Sequence, residues 1–183
     1  MSGWWLVGIV ATVLLGFFIL YLSMTAGRLD HLHRRIDTSK LSLDAHLLRR
    51  SSVSMEIAGA RMLDPASSML LADAAHRART SADMDVDERA LAESSLTAVL
   101  VTVLTPEDTA LATQTPDGAE MLADLAAACR RVQLSRRFLN DAVRACRQLR
   151  RQRMARTFRL AGHTPWPETW EMDDTTPDGL PTR

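Results

Sequence analysis

Cysteine, aromatic side chains and any alternation of apolar with polar residues are scarce in this chain, and each scarcity closes off a class of protein. There are two cysteines in 183 residues, Cys129 and Cys146. On one helix their separation is about 25 Å at 1.5 Å per residue, too far for a disulfide, so both read as small buried hydrophobes. No stretch sustains period-two alternation, so no strand is expected. Aromatics make up 5% of the residues, and only Phe138 and Phe158 interleave with the arginines of the C-terminal half, which is little for stacking nucleic-acid bases. The histidines are scattered: His31 and His33 fall on different faces of a helix, and His46, His76 and His163 stand apart, so no metal-ligand spacing emerges. The glycines of "ATQTPDGAE" and "RLAGHTP" lack phosphate-loop spacing, and Ser51, Ser52 and Ser54 have no nucleophile-elbow context. No catalytic, cofactor-binding or metal residue is expected.

Charge is missing from one place above all. Trp4 to Met24 carries none, and its 21 residues match the roughly 20 that cross a hydrocarbon core. Trp4, Trp5 and Tyr21 lie near its ends, where aromatic rings favour the interface. No Lys or Arg precedes it, as a secretory signal would require, so the segment reads as a retained anchor. Arg28, Arg34, Arg35 and Lys40 follow it, which places the C-terminal part in the cytoplasm and residues 1–3 outside. The expected location is the bacterial inner membrane.

What remains is helical in pattern. Net charge is zero, but twelve acids face only Arg77, Arg79 and Arg89 between Asp64 and Asp124, while Arg130 to Arg159 holds eleven arginines against Asp141. Apolar spacing predicts helices over about 27–62 (Leu29, Leu32, Ile36, Leu43, Leu47, Ile57), 65–81 (Met69, Leu70, Ala74, Ala78), 86–104 (Leu91, Leu96, Val99, Leu100, Val103) and 119–154. Asp64-Pro65 reads as an N-cap followed by a first-turn proline. The last helix has a heptad-like seam, Leu122, Leu125, Cys129, Val132, Leu139, Val143 and Cys146, interrupted by Arg136. The expected fold is all-α: an antiparallel up-down bundle over 27–160, with two long outer helices and a shorter inner hairpin, followed by a Pro/Trp/acidic tail over 161–183.

Asp30, Asp37 and Asp44 recur at sevens, and so do Arg137, Arg144 and Arg151. Antiparallel packing would pair Asp44 with Arg137, Asp37 with Arg144 and Asp30 with Arg151, unless the arginine stripe is simply a solvated face. Arg136 would find Asp44 or Glu56. The same register brings Arg150, Arg151, Arg153, Arg156 and Arg159 towards lipid headgroups together with Arg28, Arg34 and Arg35, each cation gaining about 1 kcal/mol from anionic lipid. In the tail, Trp166, Trp170 and Met172 stand among five acids, in a segment broken by Pro165 and Pro167. Such tryptophans are buried or used at interfaces, so the segment either folds back on the bundle, docks a partner or enters the membrane interface.

"IDTSKLSLDAHLLRR" (Ile36 to Arg50) and "RRFLNDAVRACRQL" (Arg136 to Leu149) resemble the first and last helices of the LemA family. That resemblance implies a membrane-anchored antiparallel helical bundle in bacteria, without enzymatic activity or cofactor. The chain departs from the family in "SVSMEIAGA" after the arginine pair, in Leu139 where the family has Tyr, and in its tail. The expected function is therefore a non-catalytic, single-pass membrane protein that presents a helical scaffold near the bilayer. Its expected partners are anionic lipids and a protein, either unidentified or a second copy. The competing readings are a membrane-tethered nucleic-acid binder using Arg130 to Arg159, which the acidic middle disfavours, and an enzyme with an unrecognised site.

Overall fold

The structure, a computed structural model, describes residues 3–158, 162 and 164–181. Arg159 lies outside them, as do residues 160, 161, 163, 182 and 183 of the expected domain and tail, and residues 1 and 2. Among the described residues the chain is helical and contains no strand. In chain order the helices are α1 (Gly3–Gly59), α2 (Pro65–Thr80), α3 (Val86–Val103), α4 (Pro106–Thr109), α5 (Pro116–Arg151) and α6 (Arg153–Thr157). Short 3-10 turns occupy Ser81–Asp83 and Ala112–Gln114.

The local chemistry explains the boundaries. Nothing between Met24 and Gly27 breaks the backbone ladder, so the apolar segment and the following amphipathic stretch form one 57-residue helix. Asp64 caps α2 as its sequence suggested: its carboxylate accepts from the Ala66 and Ser67 amides, and Pro65 occupies the first turn. The Ser67 contacts hold that carboxyl below the ordinary range. The connection after α3 carries two short helical turns, Pro106–Thr109 and Ala112–Gln114. Thr105 caps α4 through the Asp108 amide. Thr115 accepts from the Gly118 amide, so α5 begins at Pro116 and not near residue 119.

The chain divides into two compact units. One comprises Met1–Thr38 with Asp141–Thr169, the other Ser39–Asn140 with Trp170–Arg183. The last fourteen residues thus group with the middle of the chain and not with a separate tail. In the first unit Leu29, Ile36, Ala142, Val143, Cys146 and Leu149 are buried. Phe18 meets Phe158 edge-on with ring centroids 5.4 Å apart.

The second unit holds the main core. Val53 and Ile57 of α1, Leu71, Ala74, Ala75 and Ala78 of α2, Leu96, Leu100 and Val103 of α3, and Leu122, Leu125, Ala126 and Cys129 of α5 form one cluster with Leu104, Ala112 and Leu180. Full burial of each leucine contributes about 1.5–3 kcal/mol. The α5 seam read from sequence is buried throughout. Two inner-helix faces need correction. In α2 Met69 and Leu70 face solvent, and Leu71 is the buried leucine. In α3 Leu91 is 69% exposed, while Ala90, Glu93 and Thr97 turn inward. In α2 the inner face is offset by one residue, to Leu71, and in α3 the place of Leu91 is taken by Ala90 and the paired polar Glu93 and Thr97.

Candidate functional site: a polar seam holding the C-terminal segment

Arg50 lies one helical step beyond Leu43 and Leu47, at a spacing an apolar residue would normally fill, and it is 1% exposed. A guanidinium there must be paired. Its Nη2 donates to the Glu93 carboxylate at 2.7 Å and to the Glu93 carbonyl at 3.1 Å, and its Nη1 donates to Thr97 Oγ1 at 3.1 Å. Burial pushes the Glu93 carboxyl up, against the pull of Arg50 and Arg89. Thr97 passes the contact on by donating to the Asp173 carbonyl at 2.9 Å. Ser94 Oγ accepts from the Asp173 amide at 3.0 Å.

A second set of contacts surrounds Trp170, which is 7% exposed. The Asn140 side-chain amide imitates a backbone partner. Its Oδ1 accepts from the Trp170 N–H at 2.8 Å, and its Nδ2 donates to the Trp170 carbonyl at 3.1 Å. The Arg89 guanidinium lies 5.4 Å from the Trp170 ring centroid, and Asp44 fixes that guanidinium at 2.8 Å.

Arg136, the charge that interrupts the α5 seam, grips Asp174 in a two-pronged pair at 2.8 and 3.0 Å. Gln133 donates to the Asp174 carbonyl and to Thr176 Oγ1. Further along, the Gly179 N–H donates to the Leu104 carbonyl at 3.0 Å, and Thr109 donates to the Gly179 carbonyl at 3.1 Å. Leu180 enters the core. A Cβ on Gly179 would collide with the Leu104 and Thr105 carbonyls, so the close approach requires glycine there.

These contacts correct several expectations. Arg136 takes Asp174, not Asp44 or Glu56. Asp44 takes Arg89, not Arg137, which is exposed. Arg144 takes Asp141, one helical turn away, in place of Asp37. Among the described residues no ion pair joins Asp30 to Arg151. A neighbour three residues along the same helix, or a carboxylate already half buried, costs less side-chain entropy to reach than a partner on another helix.

The expected lipid-facing arginines divide. Arg28, Arg34, Arg35, Arg151, Arg153 and Arg156 are exposed. Arg150 is committed within its own unit: it donates to the Thr164 and Pro165 carbonyls at 2.8 and 2.7 Å and lies 4.9 Å from the Trp166 ring centroid. Arg147 likewise donates to the Pro167 carbonyl at 2.7 Å. Arg144, Arg147, Gln148 and Arg151 line a cleft of about 400 Å³. Met172 is half-buried, while Trp166 stays 44% exposed.

No family model matches the chain, and neither a curated protein nor a solved structure does. The resemblance of Ile36–Arg50 and Arg136–Leu149 to LemA helices therefore rests on those letters alone.

The chemistry of the seam is one of holding. Among the described residues no cluster of three His, Cys, Asp or Glu side chains could bind a metal. Burial pushes both cysteine thiols up, away from the reactive thiolate. Most polar groups of the seam answer one another or the main chain of residues 170–181, while Arg50 Nε, Arg89 Nε and Trp170 Nε1 are buried without a hydrogen-bond partner. Sequence reasoning missed Arg50, Glu93 and Asn140. The signal available for Arg50 and Glu93 was their position on seams of three-and-four spacing; for Asn140 there was none, because its partner lies 30 residues on.

Proposed function

We propose that the chain is a non-catalytic, single-pass membrane protein whose helical module, an antiparallel up-down bundle, serves as an interaction scaffold beside the bilayer. One observation carries this reading. The N-terminal part of α1 is long and apolar enough to cross a membrane and has none of that stretch buried, while the same helix contributes Leu43, Leu47, Val53 and Ile57 to a well-packed interior. An exposed apolar surface of that length is covered by lipid or by protein. Trp4 and Trp5 at one end and Tyr21 near the other match the interface preference of aromatic rings.

The arginines after the span favour a cytoplasmic module in a bacterial inner membrane. The exposed Arg28, Arg34, Arg35, Arg151, Arg153 and Arg156, with the arginine-lined cleft on α5, suit phosphate headgroups. Arg136, Arg147 and Arg150 serve the C-terminal segment instead, which subtracts from any polyanion-binding surface and weighs against nucleic acid. The buried seam suits a protein that keeps one surface in fixed shape for a partner. The lettered resemblance to LemA helices agrees with this architecture and makes the chain a candidate divergent member of that family.

The test is partition. The full chain should stay with carbonate-washed membranes and require detergent for release. A chain lacking residues 4–24 should appear in the soluble fraction with helical circular dichroism. Release of the full chain by carbonate would overturn the anchor.

A further inference from the structure

The segment Trp170–Pro181 has no regular secondary structure, yet side chains and carbonyls of the helical core meet its main chain at Trp170, Asp173, Asp174, Gly179 and Pro181. Asn140 takes both backbone groups of Trp170. Ser94 and Thr97 take both backbone groups of Asp173. Leu104 and Thr109 take both of Gly179. Three side chains then fill fixed places: Trp170 against Arg89, Asp174 in the fork of Arg136, and Leu180 in the core. Backbone hydrogen bonds for affinity and spaced side-chain sites for selectivity are how a folded domain recognises an extended peptide.

We propose that this face is a peptide-recognition groove, and that its occupant in trans is the Trp170–Pro181 segment of a second copy of this chain. The groove states the chemistry it accepts: a tryptophan, a carboxylate four residues later, and a glycine-leucine pair five residues beyond that. The charges are complementary, since Glu171 and Asp174 of the segment both reach Arg136. This chain supplies that sequence itself, so any second copy carries a ligand that fits. The copy's own segment competes from within at an effective concentration on the order of millimolar. Exchange therefore shows when the internal segment is weakened. The inference rests on reading the module as a binding scaffold, and it does not depend on the membrane anchor.

Two full-length variants in detergent test it. A tagged acceptor, Trp170→Ala with Asp174→Ala, keeps the groove and weakens its own segment. A donor, Arg136→Glu with Asn140→Ala, keeps the segment and spoils its own groove. The acceptor should retain the donor severalfold more than tagged wild type retains wild type, and an excess of a synthetic peptide of residues 168–181 should abolish the retention. Asp174→Asn alone is the acceptor to use if the double substitution lowers the helical signal or the cooperativity of melting. A folded acceptor that neither retains the donor nor binds the fluorescent peptide overturns the groove. Peptide binding without donor retention overturns the second copy as its occupant. Loss of membrane partition, by contrast, would count against the anchor and leave both results standing.

Discussion

Arg50 and Glu93 form the pair on which the seam depends, and the two partners are not equivalent when left alone. A buried carboxyl can take a proton, and burial already pushes Glu93 in that direction. A buried guanidinium cannot shed its charge. Glu93→Met should therefore cost about 3–5 kcal/mol, the usual penalty for a stranded buried charge, and Arg50→Met should cost less. The double substitution should recover most of the loss, because an apolar pair of similar volume replaces a desolvated ion pair. Chemical denaturation of the three variants measures this ordering. Arg50→Met carries a pH signature as well. Without the arginine the folded Glu93 pKa rises further above its unfolded value, so its contribution is fully present below the unfolded pKa and is lost as pH rises through the folded one. Stability of that variant should fall from mildly acidic towards alkaline pH more steeply than wild type does. Equal costs for both single variants would mean that Arg50 finds water or other acceptors. The pair is hard to read from the sequence because a charged residue at a seam position is ordinarily a solvated interruption, and the partner of Arg50 lies 43 residues on.

The element that departs most from a sequence reading is the C-terminal segment. Its prolines and acids advertise a chain that cannot continue α6, and its tryptophans advertise burial. Which of the two tryptophans is buried, and by what, depends on Asn140, 30 residues away, and on the still more distant Arg89. Helical seams were legible because their spacing is local: the α5 seam, the Asp64-Pro65 start of α2 and the two long helices could all be read from neighbouring letters. Asn140 and Gly179 could not be. Gly179→Ala should force the segment off the Leu104 and Thr105 carbonyls, at about 1–3 kcal/mol by analogy with overpacked interiors. In a background where Trp4, Trp5 and Trp166 are phenylalanine, Trp170 emission should shift to the red and become open to a soluble quencher; unchanged emission would place the segment elsewhere. Acid should loosen the same element. Hydrogen bonds from Thr175 hold the Asp173 carboxyl below the ordinary range, so that contribution is present above the unfolded carboxylate pKa and is lost as pH falls through the lower, folded one. Asp173→Asn should flatten the low-pH limb of the Trp170 emission curve.

At the scale of the whole molecule, two properties have to coexist in one helix. The N-terminal part of α1 exposes Trp4, Ile9, Phe17 and their neighbours to the surroundings, and its later turns bury Leu43, Leu47 and Ile57. Water tolerates the second arrangement and not the first. The apolar run was the clearest statement in the sequence, since hydrocarbon thickness translates directly into a count of uncharged residues. The arginine sevens were a weaker statement, because charges at the surface pair with whatever lies closest. Arg144 settled on Asp141 and Asp44 on Arg89, so a regular stripe of letters did not become a regular ladder of pairs. The topology we propose, with α1 spanning the membrane and the folded module on the cytoplasmic side, is open to a direct test. The most direct measurement fuses after Arg183 a pair of reporters, one active only in the cytoplasm and one active only after export, and assays both in bacterial cells whose membranes are then isolated. The expected outcome is cytoplasmic reporter activity in the membrane fraction and silence from the exported one. Activity of the exported reporter, or cytoplasmic activity found only in the soluble fraction, would contradict it.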